Sequence, residues 1–394
     1  LDPFIFHLVN VMLHAANTTL VVLLARAAIP AGGAAATGAG LLFAVHPALV
    51  ENVAWISDRF DLMMVFFVLL ALVCEYRVAR PWVRAAMVGA LFMAALLCKE
   101  TAVVLLVLLP LWQGMRCMTE ADWRQWPRVF RGNGNGGVWL ALLLTLAAYL
   151  ALRHAALGNL YQNDSAMERG STLQHLLLMG KTFGWYAMLA VWPFGQMLPV
   201  HPAQTPLATS ELWAWAGLAG LVAVCATPAV VLASRPGGRR PALVGAMALV
   251  ALAPVSNLVP LTIGDNLVHD RYLILPIAFL AIALAMMWDA RRRTLLIAAP
   301  VGLWAIAAVV TVVGLIPHWE SNLALWSWAY AREPGSHIAG DSYVAALVNA
   351  NRNDETVAVS RRILADRPNS PGTTHNLALA LARLGQYAAA ENLV

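Results

Sequence analysis

The sequence predicts an all-α fold: a polytopic membrane bundle of about ten spans over residues 1–317, then an extracytoplasmic helical-hairpin region over 318–394. Three observations predict it. The chain is 60% hydrophobic and only 12% charged, with mean hydropathy +0.67, whereas a soluble domain is typically about 45–50% apolar and about 25% charged. Its arginines fall in alternate short loops between apolar runs. From about residue 320 the apolar runs stop and amphipathic helical periodicity takes over. Long apolar stretches must be helical in hydrocarbon, because every backbone polar group there has to be bonded internally.

In chain order the expected spans cover about 4–28, 36–50, 62–79, 84–98, 101–115, 138–156, 212–233, 241–259, 272–288 and 294–316. The fourth and fifth also read as one long helix broken at Lys99-Glu100. One set of loops holds Arg26, Arg77, Arg80, Arg84, Arg116, Arg124, Arg128, Arg131, Arg235, Arg239, Arg240 and Arg291 to Arg293, 14 basic residues in all. The opposite set, up to residue 316, holds six: Arg59, Lys99, Arg153, Arg169, Lys181 and Arg271. The positive-inside rule places the first set in the cytoplasm. Residue 1 and everything after about 317 then lie outside. The count closes only if 172–196 does not cross. Gln174, His175, Lys181, Trp185, Tyr186 and Trp192 suit a helix along the outer interface; the alternative is a true span paired with another.

Composition also excludes classes. The net charge of +5 suggests nucleic acid, but the excess arginine sits in the short loops. Cys74, Cys98, Cys117 and Cys225 form no C-x-x-C pair, so a zinc site or disulfide framework has no support. Gly132-Asn133-Gly134-Asn135-Gly136-Gly137 spells a dinucleotide fingerprint, yet it follows a polar loop and precedes a span rather than opening a βαβ unit. It reads as a linker. Asn163-Asp164-Ser165 is an outer-side glycosylation sequon of a kind common by chance, and Asn17-Thr18-Thr19 lies within a span. The chain begins at Leu1 and stops at Val394 inside a helical pattern, which reads as a fragment truncated at both ends.

Ionisable residues in or at the mouth of spans are costly, and default to functional candidates. Four clusters lie on the outer side. The first runs from His46-Pro47 to Asp61. Glu51 and Asp58 are seven apart and share a face if the loop is helical; the plain alternative is an Asp58/Arg59/Asp61 salt-bridge set capping the next helix. The second is Cys98-Lys99-Glu100-Thr101, whose Lys–Glu pair either neutralises itself or offers a cation to an anionic ligand. The third, Gly264 to Pro276, contains His269, Asp270 and Arg271. Arg271 is suited to a phosphate, and otherwise snorkels to the interface. The fourth spans Trp192 to Pro202. His201 there is a candidate acid/base or metal ligand, although a lone loop histidine is more often neither.

In the C-terminal region Leu377, Ala378, Leu381, Gly385 and Ala390 fit the tetratricopeptide pattern, and Pro368 fits the proline closing a preceding, degenerate repeat with Thr356 where a small alanine is usual. A generic helical hairpin is the alternative.

With these pieces in order, the chain resembles the bacterial relatives of the transmembrane, tetratricopeptide-containing O-mannosyltransferases, within the GT-C glycosyltransferase superfamily. The matching stretches are Phe6 to Ala15, His46-Pro47 to Asp61, Leu97 to Thr101, Asp270-Arg271-Tyr272-Leu273-Ile274-Leu275-Pro276, and the repeats. The resemblance implies transfer of a mannose-like sugar from a polyprenyl-phosphate carrier, at the outer leaflet of a cell (inner) membrane, to a protein or glycan acceptor. It implies a catalytic Asp in a first outer loop upstream of Leu1, so the fragment alone is expected to be inactive. The acceptor hydroxyl must lose a proton to a carboxylate, and the leaving lipid phosphate needs cations or a metal. Arg271 and Lys99 are the candidates for that phosphate. Glu51 and Asp58 are supporting residues lining the acceptor or a metal. Asp61, Glu100, His269, Asp270 and His201 are candidates for lining the substrate. Hydrophobic residues between spans would hold the prenyl tail, membrane lipid is a further partner, and the repeats would recruit the acceptor through their concave face. No cofactor is certain beyond an open question of a divalent metal, and no nucleic acid is expected. An O-antigen polymerase/ligase-like protein and a non-catalytic membrane scaffold are the competing classes.

Overall fold

The computed structural model describes residues 3–117, 135–158, 171–202, 209–234, 238–258, 266–290 and 295–393. Among them the only β pairing is an isolated antiparallel bridge between Pro202 and Asn266. All other regular structure is helical. The sequon at 163–165, Gly132 to Gly134 and Arg291 to Arg293 lie outside the described residues.

Two compact units form. The first comprises 1–197, 206–261 and 270–312; the second comprises 198–205, 262–269 and 313–394.

The first unit is the apolar bundle. Its helices are α1 (Pro3–Ala28), α2 (Gly33–Ala44), the short α3 (Val50–Ala54), α4 (Arg59–Arg77), α5 (Pro81–Cys98), α6 (Leu105–Cys117), α7 (Asn135–Leu157), α8 (Thr172–Val191), α9 (Leu212–Ser234), α10 (Arg239–Leu252), α11 (Ile274–Ala290) and most of α12 (Leu295–Leu315). The chain breaks follow local chemistry. Pro47 and Pro81 sit at first helical positions, where the missing N–H costs nothing. Lys99 is extended (φ −159°, ψ 135°) and separates α5 from the turn Glu100–Val104 that leads into α6. The expected fourth and fifth spans are therefore two helices. The unit's core lies where α4 meets α1 and α5, with Leu62, Val65, Leu69 and Leu72 fully buried.

Six described helices are long and apolar enough to cross a membrane, or seven if the bent pair Gly33–Ala44 and Pro47–Ala54 is one span. The sequence predicts about ten, and three stretches account for the difference. α4 has the length, but Arg59, Asp61, Glu75 and Arg77 crowd its ends. α10 has 14 residues, about 21 Å at 1.5 Å per residue, against a hydrocarbon core of about 30 Å. α9 runs Leu212–Ser234, and only its part Leu212–Thr227 enters this count.

Lys181 of α8 pairs with Glu211 at 2.6 Å, just before α9 begins. α8 also crosses α9 closely at glycines. A Cβ on Gly217 would collide with the Gly180 carbonyl oxygen, and one on Gly180 would stand 2.6 Å from the Ala214 carbonyl oxygen. Small residues allow this backbone approach where lipid supplies no hydrophobic drive between helices.

Two groups of polar contacts in the first unit lie at helix ends. In one, Glu75 accepts from Gln113 Nε2 (3.0 Å) and from Arg116 Nη1 (3.4 Å). Nearby, Arg240 donates to the Met115 carbonyl through Nε and to the Ala28 carbonyl through Nη2, both at 3.1 Å. The other group is the cluster described below.

The second unit contains α13 (Asn322–Arg332), α14 (His337–Asn349), α15 (Asn353–Asp366), α16 (Pro371–Arg383) and α17 (Tyr387–Glu391). Consecutive helices pack as hairpins. Asp341 of α14 accepts from Ser370 Oγ (2.7 Å) and from Thr373 Oγ1 at the start of α16. Leu377, Ala378 and Leu381 are buried, and Gly385 turns the chain at φ +76°, a conformation glycine adopts without strain. Thr356 is fully buried, with its hydroxyl donated to the Arg352 carbonyl. That bond removes the polar cost of a threonine where an alanine would pack.

Candidate functional site: a buried carboxylate–arginine cluster

The chain between α2 and α4 is a series of short turns, and each places one side chain. His46 caps the Pro47–Leu49 turn, accepting from the Ala48 N–H through Nδ1, while its Nε2 lies 3.0 Å from the Ala190 carbonyl oxygen. α3 then presents Glu51 and Asn52. Trp55 is extended, and the turn Ile56–Asp58 delivers Asp58 to the foot of α4, one turn before Asp61.

Arg271 arrives from the turn Asp270–Leu273 that opens α11. Its Nη1 donates to Glu51 Oε1 at 2.6 Å and its backbone N–H donates to Glu51 Oε2 at 3.1 Å. Its Nε lies 3.7 Å from Asp58 Oδ1. Asn52 Nδ2 donates to Asp58 Oδ2 (2.6 Å) and to the Arg271 carbonyl (3.1 Å). The guanidinium stands over the rings of Trp55 and Tyr272, with centroids 5.0 and 4.9 Å away. Lys99 Nζ reaches both oxygens of Asp61 at 2.5 Å, and lies 4.5 Å from the Tyr272 ring centroid. One tyrosine thus faces both cations.

Glu51, Asp58, Asp61 and Asp270 are buried, against the cations Arg271 and Lys99. Burying so many carboxylates together favours neutralising one of them. Burial, then the Asp61 carboxylate beside it, pushes the Asp58 carboxyl well above the usual carboxylate range.

Beside the cluster a small recess of about 20 Å³ lies between α4, the turn after Lys99, α10 and α11. Asp61, Thr101 and Tyr272 supply its polar wall, and Met64, Val104, Val255 and Leu275 belong to its apolar wall. The arrangement is a cation pair shared with carboxylates, next to an apolar recess.

The candidates named from sequence separate in the structure. Glu51, Asp58, Asp61, Lys99, Asp270 and Arg271 lie in this part of the first unit. Glu100 does not join them, since its largely exposed carboxylate pairs with Arg153 of α7. His201 and His269 belong to the second unit. His201 is buried there, its N–H donated to Asn266 Oδ1 (3.0 Å) and its carbonyl accepting from the Leu267 N–H (2.8 Å). That backbone bond and the adjoining Pro202–Asn266 bridge tie the two segments together. Among the described residues no three His, Cys, Asp or Glu side chains converge to hold a metal ion.

Sequence reasoning misses Asn52, Trp55 and Tyr272 as site residues. Each stands inside one of the matching stretches, but nothing in its local pattern distinguishes it from an ordinary loop residue. It also misses a polar stripe on α1, where Asn10, His14 and Asn17 recur at helical spacing. That signal is present in the sequence. Asn10 Nδ2 donates to the Val53 and Trp55 carbonyls (3.2 and 3.1 Å), and Asn17 Nδ2 donates to the Leu62 carbonyl (3.0 Å).

Part of the chain is similar to curated proteins. It is 44% identical over 110 residues to the Protein O-mannosyl-transferase Tmtc1 of Drosophila melanogaster, covering 27% of this chain and 13% of that protein. It is 38% identical over 122 residues to the Protein O-mannosyl-transferase Tmtc2 of the same organism, covering 29% of this chain and 13% of that one. The Xenopus laevis Protein O-mannosyl-transferase tmtc2 is 46% identical over 74 residues, covering 19% of this chain and 9% of its own length. The matched region thus spans about an eighth or less of each relative. No family model matches the chain, and no solved structure matches it.

Proposed function

We propose that this protein is a membrane glycosyltransferase of the GT-C type. It transfers a mannose-like sugar from a polyprenyl-phosphate carrier to a protein or glycan acceptor on the extracytoplasmic face. The names of the partial relatives support sugar transfer to protein. The observation that carries the reading is Arg271, held by Glu51 and Asp58 beside Lys99 and a small apolar-walled recess. A lipid phosphate calls for a planar, permanently charged donor for its oxygens and a second cation, the roles of Arg271 and Lys99 here.

In this reading Arg271 and Lys99 engage the donor phosphate by sharing their charge between it and the carboxylates. Glu51 and Asp58 set the position of Arg271 and line the polar side. Asp61 and Asp270 complete the polar surround. The helical hairpins after residue 317 are tetratricopeptide units that recruit the acceptor.

The test uses the whole protein in native membranes, with polyprenyl-phosphate mannose as donor and a serine/threonine-rich peptide as acceptor. The parent should transfer mannose to the peptide. Glu51→Gln, which removes the charge that holds Arg271, should lower turnover and change donor binding. A parent protein that binds no lipid-linked sugar and transfers none would overturn the reading.

A further inference from the structure

We propose that Asn10 and Asn17 of α1 are positioning residues for the cluster, clamping the segment that carries Glu51, Asp58 and Asp61 by hydrogen bonds to its backbone carbonyls. The functional part of this inference rests on the glycosyltransferase reading.

Both amides are fully buried in a helix that is otherwise largely apolar. A buried amide is costly unless it is hydrogen-bonded; the structure gives both NH2 groups backbone carbonyl partners, while Asn10 Oδ1 and Asn17 Oδ1 have none among the described residues. Asn10 Nδ2 bridges the Val53 and Trp55 carbonyls, on either side of the point where α3 ends. Asn17, two turns further along the same face, holds the Leu62 carbonyl in the first turn of α4. Between them, His14 Nε2 lies 3.1 Å from the Ala44 carbonyl oxygen and its ring stacks on Phe43, at the end of α2. One face of α1 therefore touches the backbone before, within and after the loop.

Asn10 sets the spacing that matters most. The Trp55 carbonyl that it holds also accepts from the Asp58 N–H at 3.0 Å, and the Trp55 N–H donates to the Glu51 carbonyl at 2.9 Å. The same residue places its indole over Arg271. Fixing Trp55 thus fixes the separation of Glu51 from Asp58 and one wall around the guanidinium. None of these α1 side chains need touch substrate. Displacements of about 1 Å far from the chemistry can cost on the order of 10²-fold in rate.

The experiment has two independent readouts on the whole protein. The first is amide hydrogen exchange in residues 50–58 without substrate. Asn10→Leu should speed exchange there by about tenfold or more, as a local opening would, and Asn10→Gln, which keeps the NH2 donor, should restore most of the protection. The second is sugar transfer. Asn10→Leu should lower kcat on the order of 10²-fold with little change in donor KM, and Asn10→Gln should recover much of it. Asn17→Leu, read in the same ways, guards against misfolding of the Asn10 variant. Parental exchange in both leucine variants would overturn the clamp. Faster exchange with parental kcat would overturn the positioning role while leaving the glycosyltransferase reading intact. Absence of transfer in the parent would instead overturn that reading, and exchange would still judge the clamp.

Discussion

Asp58 is the residue whose chemistry is most sharply set by its surroundings. It is buried, accepts from Asn52, and faces Asp61 and Glu51. Its folded-state carboxyl therefore holds its proton to higher pH than in the unfolded chain. Between those two pKa values the folded state binds more protons, so stability must fall as pH rises through that window. Thermal unfolding in detergent should show this decline on leaving the ordinary carboxylate range. Asp58→Asn should flatten the part due to this residue, and an identical pH slope in parent and variant would contradict the assignment. The Asp61–Lys99 pair gives a second prediction. Lys99→Met strands a buried carboxylate, a change that typically costs about 3–5 kcal/mol. Because Lys99 is 24% exposed, the lower end is expected. The double variant Lys99→Met with Asp61→Leu should regain stability relative to Lys99→Met, as measured by the denaturation midpoint.

At the scale of elements, the crossing of α8 and α9 depends on two glycines. Gly217→Ala puts a methyl group onto the Gly180 backbone, so the helices must separate. A loss of about 1–3 kcal/mol is expected from such overpacking. Gly220→Ala meets only ordinary contact at 3.7 Å and should behave like the parent in the same unfolding measurement. The polar residues and terminal aromatics of 172–196 set that stretch apart from the apolar runs in sequence. They carry no information on which helix it meets, because a glycine-to-glycine contact leaves no local mark. α4 presents a matching difficulty. Arg59, Asp61 and Arg77 read as loop residues around a span, whereas Asp61 and Glu75 are buried and joined to Lys99 and Arg116. Charges near a helix end are ambiguous until their partners are known. The α5–α6 break, by contrast, is legible, because Lys99-Glu100 interrupts two apolar runs.

At the scale of the whole molecule, the pattern visible in sequence is the alternation of basic loops. The structure brings segments from several of them together in the first unit, where Arg240 meets the Ala28 and Met115 carbonyls. The acidic first loop, Lys99 and Arg271 meet in the cluster. The individual ionisable residues are thus legible from their cost in an apolar chain. Their pairing is not: Glu51 and Arg271 are 220 positions apart, and no periodicity links them. Topology gives a further prediction. A reporter active only in the cytoplasm, fused after Val394, should stay dark if the C-terminal hairpins are extracytoplasmic; a bright reporter would reverse that placement. The most direct test of the central claim is sugar transfer by Arg271→Lys in the whole protein. Lysine keeps the charge but loses the planar fork. The account predicts normal insertion, weaker binding of polyprenyl-phosphate mannose and loss of most transfer. Transfer at the parental rate would reduce Arg271 to a structural ion-pair partner and contradict the assignment of this cluster as the donor phosphate site.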